Sequence, residues 1–186
     1  MLQGMEKIEK LLNDGVKVDF STEESYTALG YASAKGNLEL MQFLLNKGAD
    51  INNKSRNNKS PILVVAGTKH IDAAKMLIQN GADLTIISGQ RTCLHEAAYW
   101  RQPETLQFFI DQGIDSNAKG FYNITPLHWV VYPMEENDIE RNQKSVECIK
   151  ILLQNGDKKS NKFNGKTAAD WATERNLSDV AKMLAP

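Results

Sequence analysis

Residues Gly120 to Val131, GFYNITPLHWVV, carry the pattern that decides the fold, and at their centre lies Thr125-Pro126-Leu127-His128. Weaker copies of this tetrapeptide recur upstream at nearly equal intervals, beginning at Thr92, Ser60 and Thr27. Glycines close successive apolar runs in the same phase, at Gly15, Gly48, Gly81, Gly113 and Gly156. The tetrapeptides and the glycines therefore recur with the same period, which lies within the range known for repeat proteins. This shared period predicts an array of structural repeats.

The residue types within each copy suit the start and the end of a helix pair. The hydroxyl of Thr125 can cap a helix, and Pro126 fits the first helical turn, where no N–H is needed. A glycine such as Gly48 can adopt the left-handed backbone that ends a helix and turns the chain. The run from Pro61 to Gly67 is apolar enough to pass for a buried strand, but its repeat phase predicts a helix.

The tetrapeptide and its phase resemble the ankyrin-repeat family, whose unit is a β-turn followed by two antiparallel helices and whose first helix opens on T-P-L-H-x-A. Thr125 to Val130 matches that signature except for Val in the last place, and Thr92 to Ala97 lacks only the Pro. The family's G-A-D follows at Gly48 and Gly81. The resemblance covers nearly the whole chain and implies an all-α solenoid of stacked helix–turn–helix units with short β-hairpin fingers.

The resemblance makes residues 1–186 a single ankyrin-repeat domain. Residues 1–20 contain a half-repeat, because the partner of its one helix would fall largely before residue 1. Four repeats are expected at 21–53, 54–86, 87–118 and 119–160. Residues 161–186 form the last repeat, whose outer helix face is polar, as a terminal cap requires.

The repeat at 119–160 contains an insertion of about ten residues. The insertion is recognised because the stretch from His128 to Gly156 is longer by that amount than the matching stretch from His95 to Gly113. The additional residues lie near 133–142 and are rich in acidic side chains. We predict an acidic loop there, or an extension of the first helix past a kink, with the second helix resuming at Val146.

Composition excludes several classes of function. Lys and Arg number 22 against 23 Asp and Glu, for a formal charge of −1, which leaves no excess of cations for nucleic acid or a membrane surface. No apolar run approaches the roughly 20 residues of a membrane span. Cys93 and Cys148 are predicted to be small buried thiols, which suits the cytoplasm. A periplasmic or secreted location stays open if an amino-terminal segment was removed.

No catalytic, cofactor or metal constellation is present in the sequence. His95 and His128 occupy the signature position, where the resemblance implies a ring that ties adjacent repeats together. His70 falls in a helix–helix turn and is predicted to be solvated. No Cys/His spacing matches a zinc site and no glycine-rich loop matches a phosphate cradle. We therefore expect a protein that is not an enzyme and needs no cofactor.

Aromatic residues concentrate where the resemblance places the concave side, made of finger tips and the exposed face of the first helices. Ten of the fourteen aromatic residues fall there, eight of them in the last three repeats. Trp, Tyr and Arg dominate interface hot spots. Trp129 and Trp171 have a second interpretation, as packing between successive first helices. The predicted partner-binding residues are Arg91, Glu96, Tyr99, Trp100, Arg101, Phe121, Tyr122, Trp129, Tyr132 and Trp171.

The favoured hypothesis is a non-catalytic protein–protein interaction module that holds one protein partner against its last three repeats, as a monomer or a heterodimer with that partner. One alternative is a bacterial immunity or antitoxin protein that neutralises a toxin enzyme, suggested by the compact array and by 17 Lys against 5 Arg. A related alternative is an ankyrin effector. Another is a scaffold fragment of a larger protein, suggested by the missing first half-repeat.

Overall fold

The computed structural model of the chain describes residues 2–21, 26–89, 91–120, 123–136 and 138–185. Its described residues form helices joined by turns, with two isolated antiparallel bridges, Ser88 to Arg91 and Phe163 to Lys166. The helices are α1 Leu2–Asn13, α2 Ala28–Ala34, α3 Leu38–Asn46, α4 Pro61–Ala66, α5 Ile71–Gln79, α6 Cys93–Tyr99, α7 Pro103–Asp111, α8 Pro126–Val131, α9 Ile139–Gln154, α10 Ala168–Glu174 and α11 Ser178–Leu184. The all-α expectation is confirmed, and Pro61–Ala66 is a helix as its phase predicted.

The chain forms two compact units. The first comprises residues 1–65 and 70–83, and the second comprises residues 66–69 and 84–186. In the first unit α2 packs on α3, and α3 contacts α5. In the second unit α6, α8 and α10 pack in succession as first helices, while α7 and α9 pack together behind them. Each unit is thus built from antiparallel helix pairs.

Helix starts follow the capping chemistry of the repeated threonine. Thr27 Oγ1 accepts a hydrogen bond of 3.1 Å from the Gly30 N–H, which satisfies one free donor of α2. Thr167 and Asp170 form a reciprocal capping box at α10. The other end of a pair is closed by glycine: Gly48 has φ +85°, and the Ala49 N–H donates to Leu44 O at 3.0 Å. This bonding ends α3 in a left-handed residue that only glycine adopts without strain.

The signature histidines connect successive repeats of the second unit. His95 Nδ1 accepts from the Thr92 N–H at 3.1 Å, so its Nε2 carries the proton that is donated to Ile124 O at 3.0 Å. His128 Nε2 bonds Lys166 O at 3.2 Å in the same way. Burial lowers the pKa of His95 to about 4 and also lowers that of His128. Both rings are therefore neutral links, as the sequence predicted. His70 was predicted to be solvated. Its side chain is half-buried, so part of the ring is exposed while the rest lies against Gly36.

The first helix is not extended, which contradicts one expectation, whereas residues 132–136 and 138 lie outside any helix and form part of the expected acidic loop. The rest of the insertion lengthens the second helix, which was not expected. Pro133 cannot continue α8, which ends at Val131. Asp138 caps α9 by accepting from the Arg141 N–H at 3.1 Å, so this helix starts at Ile139 rather than Val146. It has 16 residues, against 9 in α3, α5 and α7. The added residues thus extend the amino-terminal end of α9.

The insertion leaves the repeat register intact. In the first unit the Asp83 N–H donates to Asn52 Oδ1 at 2.9 Å. In the second unit the Lys158 N–H donates to Asn117 Oδ1 at the same distance, although the insertion lies between these two residues. The bases of the fingers therefore pair as if the additional residues were absent.

Cys93 and Cys148 are fully buried thiols outside any disulfide, as predicted. Burial raises the pKa of the Cys148 thiol to about 12, so the reactive thiolate does not form at neutral pH. Across the described residues, no helix combines the length and the apolarity needed to cross a bilayer.

Candidate functional site: an aromatic surface on the first helices

Six aromatic rings of the second unit form a connected series across α6, α8 and α10, which we call the aromatic surface. Tyr99 lies 5.2 Å from Trp100 and 5.6 Å from Trp129, centroid to centroid, in both cases edge to face. Trp129 lies 5.3 Å from Tyr132. Tyr132 lies 6.1 Å from Trp171, which in turn lies 5.7 Å from Phe163. These separations are typical of stabilising aromatic pairs.

The rings differ in how much they present to solvent. Trp100 and Tyr132 are 48% and 46% exposed. Tyr99, Phe163 and Trp171 are half-buried. Trp129 is only 9% exposed, so its geometry agrees with its second interpretation, packing, rather than with an exposed contact: this indole packs among Tyr99, Tyr132 and Arg91. The aromatic surface therefore consists of two exposed rings, Trp100 and Tyr132, packed against four more buried rings.

Arg91 lies among the more buried rings of the aromatic surface. Its guanidinium carbon lies 4.1 Å from the centroid of the Tyr99 ring and 4.1 Å from that of Trp129. Its Nη1 lies 3.6 Å from Glu96 Oε2. A cation that stacks on two rings and faces a carboxylate is already largely compensated. Arg91 therefore acts first on the shape of the aromatic surface, rather than as the charged partner contact that the sequence suggested.

Glu96 was expected on the exposed face of α6, and this was wrong because its side chain is 1% exposed. Its carboxylate faces Arg91 and accepts a hydrogen bond of 3.2 Å from Trp100 Nε1. A buried carboxylate requires such compensation. Glu96 thus fixes the positions of one cation and one indole, and a partner does not reach it without rearrangement.

Trp100 is further positioned by a glycine. A Cβ on Gly67 would lie 2.4 Å from Trp100 Cδ1 and 2.9 Å from Nε1, closer than packed atoms approach. The absence of a side chain at Gly67 therefore lets the indole lie flat on the backbone there. Together with the bond to Glu96, this contact holds a 48% exposed tryptophan in one orientation.

Two residues outside the predicted set belong to the site. Phe163 and Arg175 join Tyr132, Trp171 and Glu174 in lining an open slot of about 410 Å³. The Arg175 guanidinium carbon lies 5.4 Å from the Tyr132 centroid. Nothing in the pattern indicated that α10 would bring them to Tyr132.

The remaining predicted residues stand apart or lie outside the described part of the chain. Arg101 occupies the turn after α6 with φ +56°, and no ring contact within the described residues involves it. Phe121 and Tyr122 lie outside the described residues. The aromatic surface as described therefore contains five of the seven predicted aromatic residues, with Arg91 and Glu96 beneath it.

The aromatic surface offers mainly apolar ring area with a few polar edges. The indole Nε1 of Trp129 is buried with no hydrogen-bond acceptor among the described residues. Across those residues, no group of three or more His, Cys, Asp or Glu side chains is arranged to hold a metal ion. Exposed rings fixed on a rigid base are suited to contacts with another macromolecule.

Comparisons with known proteins agree with this architecture. The family model described as ankyrin repeats matches in three copies, over residues 2–88, 52–120 and 94–186. Alpha-latrotoxin-Lg1a of Latrodectus geometricus is 27% identical over 156 residues, which are 82% of this chain and 10% of that protein. Ankyrin repeat and SOCS box protein 16 of Homo sapiens is 29% identical over 97 residues, 52% of this chain and 19% of that protein.

Inversin of Canis lupus familiaris is 25% identical over 144 residues, 76% of this chain and 13% of that protein. The chain thus spans a fifth or less of the length of these three relatives. The family model, by contrast, extends over almost every residue of the chain. The chain belongs to the ankyrin-repeat family.

Proposed function

We propose that the second unit binds a protein partner through the aromatic surface and catalyses no reaction. Ankyrin repeats are in general protein–protein interaction modules, and the fold is typically non-catalytic. The observation that carries the proposal is the pair of exposed rings, Trp100 and Tyr132, each fixed by packed neighbours. Side chains already held in one rotamer lose little conformational entropy when a partner covers them.

The composition of the surface favours a protein over other ligands. Trp and Tyr provide a large apolar area with a polar edge, which is the make-up of interface hot spots. A chain with a net charge of −1 has no excess of cations for a phosphate backbone. The slot beside Tyr132 is open and about 410 Å³ in volume, which suits one apolar side chain of a partner.

Charge at the edge of the surface indicates which partner chemistry is preferred. Arg175 is exposed and lies over the outer ring, Tyr132. Lys166 and Glu174 neutralise each other at 2.5 Å. The charge left at this edge is positive, so a partner segment with an apolar residue beside a carboxylate would match it.

Affinity capture followed by titration tests the proposal. The full chain is used to capture proteins from a lysate of the source organism, and a captured protein is purified and titrated by calorimetry. Trp100→Ala and Tyr132→Ala should each weaken binding about 30-fold, equivalent to roughly 2 kcal/mol. Unchanged affinity in both variants would exclude the aromatic surface as the binding site.

The matched control is Tyr31→Ala. Tyr31 lies on α2 in the first unit, four residues after the capping threonine, which is the repeat position of Trp129 and Trp171. It is 56% exposed, so its removal tests the loss of an exposed ring as such. We expect its affinity to equal that of the wild type. Equal weakening by all three substitutions would indicate a nonspecific effect.

A further inference from the structure

The long helix α9 creates a groove in the second unit, built from elements other than the first helices that carry the aromatic surface. The groove has a volume of about 810 Å³, within the range of roughly 300–1,000 Å³ found for ligand sites. One wall is the stretch of α9 from Asn142 to Lys150, and the other is the turn before α11 with the first residues of that helix. α9 has 16 residues and α11 has 7. Because α11 is shorter, it cannot cover the whole side of α9, and the uncovered part of α9 forms a wall of the groove.

The lining of the groove is apolar at the base and charged at the rim. Met134, Leu177 and Val180 are buried, and Val146 is half-buried beside them. The charged lining residues are Glu136, Glu147, Asp179 and Lys150. Three acids against one lysine give the groove a net negative charge, in a chain whose total charge is only −1.

The acidic side chains are available to an occupant. Glu136 and Glu147 are exposed and have no ion-pair partner within the described residues. Asp179 has only a surface contact of 3.9 Å with Lys182, and both side chains are at least 80% exposed. Contacts of that kind contribute little and are easily exchanged. An incoming cation would therefore meet carboxylates that are solvated rather than neutralised.

A polar acceptor in the groove lining also lacks a donor. Asn142 Nδ2 donates to Glu135 O at 2.6 Å, which fixes the orientation of the amide. Its Oδ1 is buried and has no donor among the described residues. An unsatisfied carbonyl is unfavourable, and an occupant that carries N–H groups could satisfy it after a small rotation of the side chain.

From these features we propose that the groove between α9 and α11 binds a basic amphipathic segment of a protein partner. Apolar side chains of the segment lie on Met134, Val146 and Val180, and its Lys or Arg side chains face Glu136, Glu147 and Asp179. The acidic rim selects a basic occupant over an acidic one. This surface is independent of the aromatic one, and it assigns a role to the insertion that distinguishes this repeat from the others.

Methyl-labelled nuclear magnetic resonance on the full chain tests the proposal with a defined probe. The probe is a synthetic amphipathic helix of about 12 Leu and Lys residues, and its counterpart has Glu in place of every Lys. The Lys peptide should shift the methyl signals of Met134, Val146 and Val180, and the Glu peptide should not. Binding should weaken with added salt, because it depends on exposed charges.

The charge variants have a matched control. Glu136→Gln with Glu147→Gln should weaken the Lys peptide about fivefold. Glu104→Gln with Asp111→Asn removes the same charge from α7, none of whose residues lines the groove, and should leave the affinity unchanged. Equal weakening by both pairs, shifts confined to other residues, or no binding at roughly 1 mM peptide would each overturn the proposal. Sedimentation showing that two chains pair through the groove would also overturn it.

Discussion

Replacement of Asp157 by Ala should stabilise the second unit at neutral pH. Asp157 is 7% exposed, and neither carboxylate oxygen has a hydrogen-bond donor among the described residues. Two donors close by, Asn161 Nδ2 and the Lys158 N–H, both donate instead to Asn117 Oδ1, at 3.0 and 2.9 Å. The repeat pattern places Ala at this position, directly after the closing glycine, and Ala49 is buried there to 8% exposure. The carboxylate thus lies in a site shaped for a methyl group.

The magnitude follows from the shifted titration of this group. Burial, and to a smaller extent the nearby charge of Asp115, raise the pKa of Asp157 from 3.8 to about 7. A raised pKa means that the folded state prefers the protonated acid, so stability is complete at low pH and is lost as the pH rises from about 4 through 7. The loss amounts to roughly 4 kcal/mol at pH 7.5 and roughly 1.5 kcal/mol at pH 5.

Urea unfolding monitored by tryptophan emission measures this effect where it occurs. The chain has 3 tryptophans, at positions 100, 129 and 171, and all of them lie in the second unit. After allowance for the small cavity left by Ala, we expect Asp157→Ala to raise the free energy of unfolding by roughly 3 kcal/mol at pH 7.5. At pH 5 the gain should fall below about 1 kcal/mol.

The control is Asp111→Asn, which removes one negative charge from an exposed position on α7. Its effect should stay within about 0.5 kcal/mol at both pH values. A variant at Asp157 that is no more stable than the wild type at pH 7.5 would show that the carboxylate is solvated or paired. A gain of equal size at both pH values would show that the cause is packing rather than charge.

Three further outcomes are expected. Gly67→Ala should displace Trp100, shift its emission to the red and weaken partner binding as much as removal of the indole does, because the new Cβ meets the ring at 2.4 Å. Arg91→Met should destabilise the second unit by about 3 kcal/mol and Glu96→Gln by about 1 kcal/mol in urea unfolding, because only the first change leaves the buried Glu96 carboxylate without the cation that lies against it. In the Asp157→Ala variant, stability should fall by roughly 2 kcal/mol from pH 7 to pH 4.5, because burial lowers the pKa of His95 to about 4, and the resulting stability is complete above pH 6.5 and lost toward pH 4. His95→Gln should reduce this slope, and the remainder should come from His128, whose pKa is also lowered by burial.

The helix pairs could be predicted from the sequence, because the helices are bounded by signals that each have their own physical cause. Ala28–Ala34 begins after a capping threonine, and Leu38–Asn46 ends before Gly48. Register is also set locally, since the closing glycine and the base of each finger recur together. Repeat phase could therefore identify Pro61–Ala66 as a helix although its composition resembles a buried strand.

The candidate site was less predictable, because burial within it depends on which side chains meet between repeats. Glu96 follows the signature histidine on α6, where exposure was expected, yet Arg91 from the preceding finger lies over it. Trp129 occupies the same repeat position as Tyr31, but one is 9% and the other 56% exposed. Periodicity gives a position on a helix, and it does not give the side chains that arrive from the neighbouring repeat.

The bonds that keep the repeat register leave certain positions free to diverge, and the proposed surfaces lie at those positions. Register in the second unit depends on His95 and His128 and on the pairing at Asn117, and the bonds of His128 and Asn117 span the insertion without being broken by it. The amino-terminal end of α9 and the residues that follow each signature histidine take no part in those bonds. Additional helix turns and aromatic rings can therefore appear there without cost to the array. On this view, shortening α9 to the 9 residues of α7 should remove the groove while the second unit still folds. Loss of folding in that deletion variant would mean that the insertion is part of the packing of the unit.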